Sequence, residues 1–210
     1  MDAGFWHQKW QKNEIGFHQS GADAQLVEHF PQLQLQAGNR VFVPLCGKTL
    51  DIAWMLDQGY RVAGAELSQI AIEQLFTNLN IKPEITTVGA LKRYSARNID
   101  IFVGDIFELT AQELGTVDAI YDRAALVALP EATRKKYTPH LITITNKPPQ
   151  LLLCFEYDQD LMAGPPFSIT PDEVVDHYAA TYQTILLEEE PLLQRIKGKV
   201  EATASVWHLR

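Results

Sequence analysis

The chain has 210 residues, is 46% hydrophobic and carries a net charge of −8. That length buries one substantial core, and the acidic balance, with no basic cluster longer than Arg134-Lys135-Lys136, argues against a nucleic-acid partner. Its apolar runs fall well short of the roughly 20 residues that a membrane-spanning helix needs, so no membrane partner is expected.

The opening MDAGFWHQKW lacks the basic-then-apolar pattern of a secretory leader. Cys46 and Cys154 both lie in apolar, strand-like stretches and read as buried thiols of a reducing compartment. A cytoplasmic protein is expected, with the monomer as its default state. No repeat, low-complexity tract or linker divides the chain, so residues 1–210 read as one domain.

Residues 2–30 mix aromatics (Phe5, Trp6, Trp10, Phe17, Phe30) with polar side chains. Trp6 and Trp10 are spaced to lie on one side of a helical turn, and residues 22–30 present Leu26, Val27 and Phe30 on one helical face. This leader, residues 1–35, either caps the core with aromatics or forms a lid over a ligand.

Residues 40–66 form the organising unit. The apolar run 40–45 suits a buried strand, Cys46-Gly47-Lys48 a tight turn, and Thr49 a helix cap with Asp51 in the first turn. Gly59 stands where a left-handed helix stop is wanted, and a second strand over 61–65 ends on Glu66. Ser68 then caps a helix with the stripe Ile72, Leu75, Phe76, Leu79. Residues 80–98 read as a loop with one short strand.

Strands are expected over 99–103, 119–122 and 151–155, with helices from Pro130 to about Ile142 and over 171–178. Two late strands, 182–187 and 202–209, have no helix between them and are expected to pair antiparallel. An acidic segment containing Arg195 joins them, and Glu188–Glu190 reads as a solvated charge run. Alternating strands and helices predict an α/β fold with a mostly parallel, doubly wound sheet.

In such a sheet the ligand lies beyond the carboxyl ends of the strands. Four ends converge there: Leu45–Gly47, Glu66, Asp105-Ile106 and Asp122-Arg123. Acids on successive strand tips fit a ligand with a diol and an amine-bearing ring, with Glu66 on the ribose and Asp105 near adenine. Gly47-Lys48-Thr49 lacks the earlier glycine of a phosphate loop, since Phe42 occupies that position. Pro44-Leu45-Cys46-Gly47 likewise replaces the glycine cradle for a pyrophosphate, which weakens a nicotinamide cofactor. The six histidines show no metal-ligand spacing, so no metal is expected. Arg123 either pairs with Asp122 or Glu66 or faces an anionic ligand group.

These motifs resemble the thiopurine S-methyltransferase family in its bacterial form. The resemblance runs over nearly the whole chain: Trp6-x-x-x-Trp10 with Ile15-Gly16-Phe17-His18, Val43-Pro44-Leu45-Cys46-Gly47-Lys48 with Asp51, Gly64-x-Glu66-Leu67-Ser68, the run Asp122-Arg123-x-Ala125-Leu126-Val127-Ala128-Leu129-Pro130, and Gly164-Pro165-Pro166-Phe167. It implies a class I methyltransferase fold, a Rossmann-like three-layer sandwich, using S-adenosylmethionine and releasing S-adenosylhomocysteine. By resemblance the cofactor contacts are Trp10, Leu45, Glu66, Asp105, Ile106 and Arg123, with residues 1–35 as the lid over them. Family members often carry serine at the position of Asp105, so the contact there is expected through the backbone.

Substrate contacts by the same resemblance are Phe17, Arg123 and Arg195, with a small-molecule thiol as substrate. Methylation of the sulfur of aromatic or heterocyclic thiols is implied, and handling of selenium or tellurium species is compatible with it. Arg123 is the best candidate for steadying an anionic substrate; no general base is evident. A nicotinamide-dependent oxidoreductase shares the sheet and Glu66, and a non-catalytic adenosylmethionine-binding module shares the whole pattern.

Overall fold

The computed structural model describes residues 3–16 and 18–210. Its leader holds helix α1 (Ala3–Gln11) and helix α2 (Ala24–His29), the latter running into a 3-10 turn over Phe30–Leu33. Asp23 starts α2 by accepting from the amides of Gln25 and Leu26, at 3.0 and 3.4 Å.

The unit expected over residues 40–66 forms as β1 (Arg40–Val43), α3 (Asp51–Asp57) and β2 (Arg61–Glu66). Side chains along β1 alternate: Phe42 enters the core on one face of the sheet, Val41 and Val43 the core on the other. The helix stop is as expected. Gly59 has φ +84°, its amide donates to Leu56 at 3.0 Å, and that of Tyr60 reaches back to Met55 at 3.0 Å. The start is looser: Thr49 Oγ1 accepts from the Asp51 amide at 3.3 Å, but the residue flanking the helix is Leu50.

Ser68 caps α4 (Gln69–Asn78) through the Ala71 amide. The segment expected as a loop is then a hairpin, β3 (Glu84–Val88) and β4 (Leu91–Ala96), laid antiparallel on β5 (Ile99–Val103). Every residue of β3 except half-buried Val88 is exposed, so this strand shows no apolar alternation from which to read it. Helix α5 (Ala111–Leu114) is followed by β6 (Ala119–Arg123), and α6 (Glu131–Thr145) by β7 (Gln150–Glu156). Helix α7 (Pro171–Tyr178) precedes β8 (Thr184–Pro191) and β9 (Thr203–Leu209), which pair antiparallel as expected.

Among the described residues the strands form one sheet in the order β3-β4-β5-β2-β1-β6-β7-β9-β8, parallel from β5 to β7 and antiparallel at both margins. Leu26, Ile52, Met55, Ile72 and Leu75 bring α2, α3 and α4 onto one face. Leu114, Tyr137, Leu141, Val174 and Tyr178 bring α5, α6 and α7 onto the other, which completes a three-layer sandwich. Glu188 is not part of a solvated charge run. It pairs with His29 and accepts from Gln25 Nε2 at 3.1 Å, fastening α2 to β8. Among the described residues no helix is long and apolar enough to cross a membrane.

Asp100 is the ionic centre of the sheet. It accepts from Arg40 Nη2 at 3.0 Å, Arg93 Nη2 at 2.7 Å and Ser95 Oγ at 2.6 Å. Burial works to raise its pKa, but Ser95, Arg93 and Arg40 outweigh it and hold the carboxyl below its ordinary 3.8. Its stabilisation is therefore present above the unfolded pKa and is lost as pH falls through the lowered folded value. Asp100→Ala leaves Arg40 buried without its carboxylate, and is expected to cost about 3 kcal/mol at pH 7 in denaturant unfolding. The gap between the two proteins should narrow as the pH falls below 3.8.

Candidate functional site at the carboxyl rim of the sheet

β1 sits between β2 and β6, so the chain reverses its direction of travel across the sheet at the ends of β1 and β6. Each of these two ends carries a left-handed residue with a side chain, as several turns elsewhere do. Leu45, just beyond β1, has φ +46°, and Ala124, just beyond β6, has φ +61°. Left-handed geometry in side-chain-bearing residues costs about 1–3 kcal/mol each and is typically kept where a site needs it.

Glu66 ends β2 with its carboxylate buried. It accepts from the Gly47 amide at 2.8 Å and the Ser68 amide at 2.8 Å, and burial still raises its pKa against those donations. Gly47 has φ +53°, and a Cβ there would stand 3.0 Å from the Trp10 ring. Trp10, itself buried, therefore packs on the turn that holds Glu66. Cys46 donates its amide to Ala65 at 2.9 Å, and Gly104 donates to the Glu66 carbonyl at 2.9 Å, which ties the ends of β1, β2 and β5 together. Burial first, and then the charge of Glu66, push the Cys46 thiol well above its ordinary value, so it is a structural thiol and not a nucleophile.

Beyond β5, Asp105 is exposed and its Oδ1 accepts from the Phe107 amide at 3.0 Å, capping the turn Ile106–Glu108; Ile106 is buried. Asp105 thus organises its own loop, and the acid-to-adenine contact read from the sequence gains no geometric support. Trp10, Leu45, Glu66, Asp105 and Ile106 are nonetheless joined along one rim.

Arg123 finds neither of its expected partners. Its Nε donates to Asp23 at 2.8 Å and its Nη1 lies 3.7 Å from Asp51. Burial opposes its charge, but the Tyr121 phenol, Asp51 and Asp23 together raise its pKa. Asp51 is 1% exposed and also accepts from the Asp23 amide at 2.8 Å and the Tyr121 hydroxyl at 3.2 Å. Sequence reading saw Asp51 only as a first-turn acid and passed over Asp23, although an Asp before the apolar periodicity of α2 is a recognisable cap. Their meeting at Arg123 is a long-range event with no local signal. His18, half-buried, lies close enough to feel the charges of Lys48, Arg123 and Asp51. Arg195 is exposed in the segment between β8 and β9, with Glu201 as its partner at 2.9 Å. Phe17 lies outside the described residues.

Asp122 turns inward, accepting from the Tyr137 hydroxyl at 2.7 Å and the Leu126 amide at 3.1 Å. Burial raises its carboxyl from 3.8 to about 6, more than those donors lower it. The folded state thus keeps a proton that the unfolded chain releases. The stability this group contributes is fully present below pH 3.8 and is lost as the pH rises through about 6. Against the permanently uncharged Asp122→Asn, the melting temperature of the parent chain should fall by roughly 5 °C between about pH 4 and pH 7.

The family model described as Thiopurine S-methyltransferase (TPMT) matches residues 1–209. A thiopurine S-methyltransferase of Xanthobacter autotrophicus is 56% identical over 210 residues, covering 100% of this chain and 99% of the relative. One of Teredinibacter turnerae is 51% identical over 209 residues, covering 100% and 97%. Among solved structures, a Burkholderia thailandensis 1,6-didemethyltoxoflavin-N1-methyltransferase with bound S-adenosylhomocysteine superimposes with a TM-score of 0.67 at 13% identity, covering 99% of this chain and 86% of the other. An S-adenosylmethionine-dependent methyltransferase from Anabaena variabilis has a TM-score of 0.61 at 17% identity, covering 99% and 95%. The fold is that of the S-adenosylmethionine-dependent methyltransferases, and the chain belongs to the thiopurine S-methyltransferase family.

Proposed function

We propose that this rim binds S-adenosylmethionine under the leader segment and directs its methyl group to the sulfur of an aromatic or heterocyclic thiol. The observation that carries the reading is the stack of Trp10 on Gly47, whose amide is held by Glu66. Each Glu66 oxygen accepts one amide here and keeps a further acceptor site, the pair of acceptors that the two hydroxyls of a ribose diol can donate to. Leu45 and the Asp105-Ile106 turn flank that acid, and Trp10 is the aromatic cover. The names of the full-length relatives support thiopurines as the substrate class.

Methyl transfer from a sulfonium is an in-line displacement on a carbon already activated by its leaving group. The chain's task is alignment and exclusion of water, and orientation of this kind supplies roughly 7–11 kcal/mol. Trp10 keeps water off the reacting atoms from the leader side. Arg123, fixed by Asp23 and Asp51, offers its remaining N–H groups to the heterocycle or to the developing thiolate. Phe17 and Arg195 complete the substrate contacts that the family resemblance implies. The protein acts in this reading as a cytoplasmic monomer on a small-molecule thiol.

Calorimetry with S-adenosylhomocysteine, followed by a methyl-transfer assay on aromatic thiols, tests the reading. Glu66→Ala should weaken S-adenosylhomocysteine about tenfold or more. Arg123→Ala should lower kcat/KM for an aromatic thiol about tenfold to a hundredfold, with Arg123→Lys recovering only part of it. Unchanged cofactor affinity in the first variant and unchanged turnover in the second would reject these assignments.

A further inference from the structure

We propose that His18 accepts the proton of the substrate thiol. The inference rests on the thiol methyltransferase reading above and adds the base that reading lacks.

Position comes first. The side chain next to His18 in sequence, Gln19, donates through Nε2 to Asp23 Oδ2 at 3.1 Å, and that oxygen also takes the Arg123 Nε at 2.8 Å. The His18 amide donates to the Ile15 carbonyl at 2.8 Å. The segment carrying His18 is thus pinned to the Arg123 corner, where β6 ends beside the loop that follows β1. The charges whose fields reach the imidazole come from three elements: Lys48 from that loop, Arg123 from β6 and Asp51 from α3. Burial first, and then the charges of Lys48 and Arg123, lower the His18 pKa, with Asp51 opposing them. The ring therefore stands unprotonated at neutral pH, ready to take a proton.

The titratable groups packed around this corner already have partners. Asp23 is occupied by the α2 amides and Arg123, and Asp51 by the Tyr121 hydroxyl and the Asp23 amide. Glu66 holds two backbone amides. Burial drives the Cys46 thiol and the Tyr121 phenol well up, so neither takes up this role. Lys48 donates to Gln74 at 2.8 Å.

In the step itself the substrate S–H bond breaks, its electron pair stays on sulfur, and the proton joins the free ring nitrogen of His18. The sulfur pair then forms the new S–CH3 bond, while the pair of the breaking sulfonium bond leaves with the donor sulfur. His18 returns its proton to water as product departs. A thiol already ionised at working pH needs no such help, and this distinction makes the proposal testable.

The experiment compares an electron-poor aromatic thiol, ionised at neutral pH, with a heterocyclic thiol that stays protonated there. His18→Gln and His18→Ala should each lower the ratio of kcat/KM for the protonated heterocyclic thiol to that for the ionised aromatic thiol by about a hundredfold. A second readout needs no turnover. With S-adenosylhomocysteine bound, the un-ionised thiol should develop the ultraviolet absorbance of a thiolate on the parent protein and not on either variant. An unchanged ratio, equal losses on both thiols, or thiolate absorbance retained in His18→Gln would each overturn the assignment. Failure of the parent protein to methylate the ionised thiol would instead overturn the thiol methyltransferase reading, and the role of His18 with it.

Discussion

The rim depends on one buried carboxylate. Asp51 is 1% exposed, and removing an ion from water is costly unless every lone pair is met. It is met from three directions: the Asp23 amide from the leader, the Tyr121 hydroxyl from β6, and the nearby Arg123 guanidinium. One partner comes from the leader and two from β6, so the leader, α3 and β6 are fixed relative to one another by the need to keep that charge solvated. Two acids around one arginine leave this corner with an excess negative charge of one.

The hydrophobic layers do a different job. Both faces of the sheet are packed, with Phe42 pointing one way and Val41 and Val43 the other, so the strands cannot slip by a residue without turning a core inside out. That rigidity lets the strained residues at the strand ends, Leu45 and Ala124, persist. Strain on a soft scaffold would relax; here it is held against a well-packed sheet, and the backbone turns where a ligand must approach.

Much of the fold was legible because its signals are local. The apolar run of β1, the Gly59 stop, the Ser68 cap and the acid tipping β2 all declare themselves within a few residues. The β3–β4 hairpin did not, because a strand exposed along nearly its whole length has no buried face to impose alternation. At the site, Glu66 was readable from its place at the tip of β2, and Trp10 only through the family resemblance. The partners of Arg123 were not, since Asp23 lies 100 residues away in sequence and its pairing depends on where the leader folds back. Glu188 misled for the same reason: its neighbours in sequence are acids, while its partners in space are His29 and Gln25.

The sheet's outer strand β8 has a consequence for how copies of this protein meet. A margin strand normally exposes a row of unpaired amides and carbonyls that a second molecule can extend. Here the register shifts between Leu186 and Glu188, the exposed Glu189 and Glu190 follow, and Pro191 closes the strand with no amide to donate. Any molecule approaching that border meets a kink, like charges and a missing donor together. Crowded chains are thereby discouraged from stacking strand upon strand into fibrils along this side.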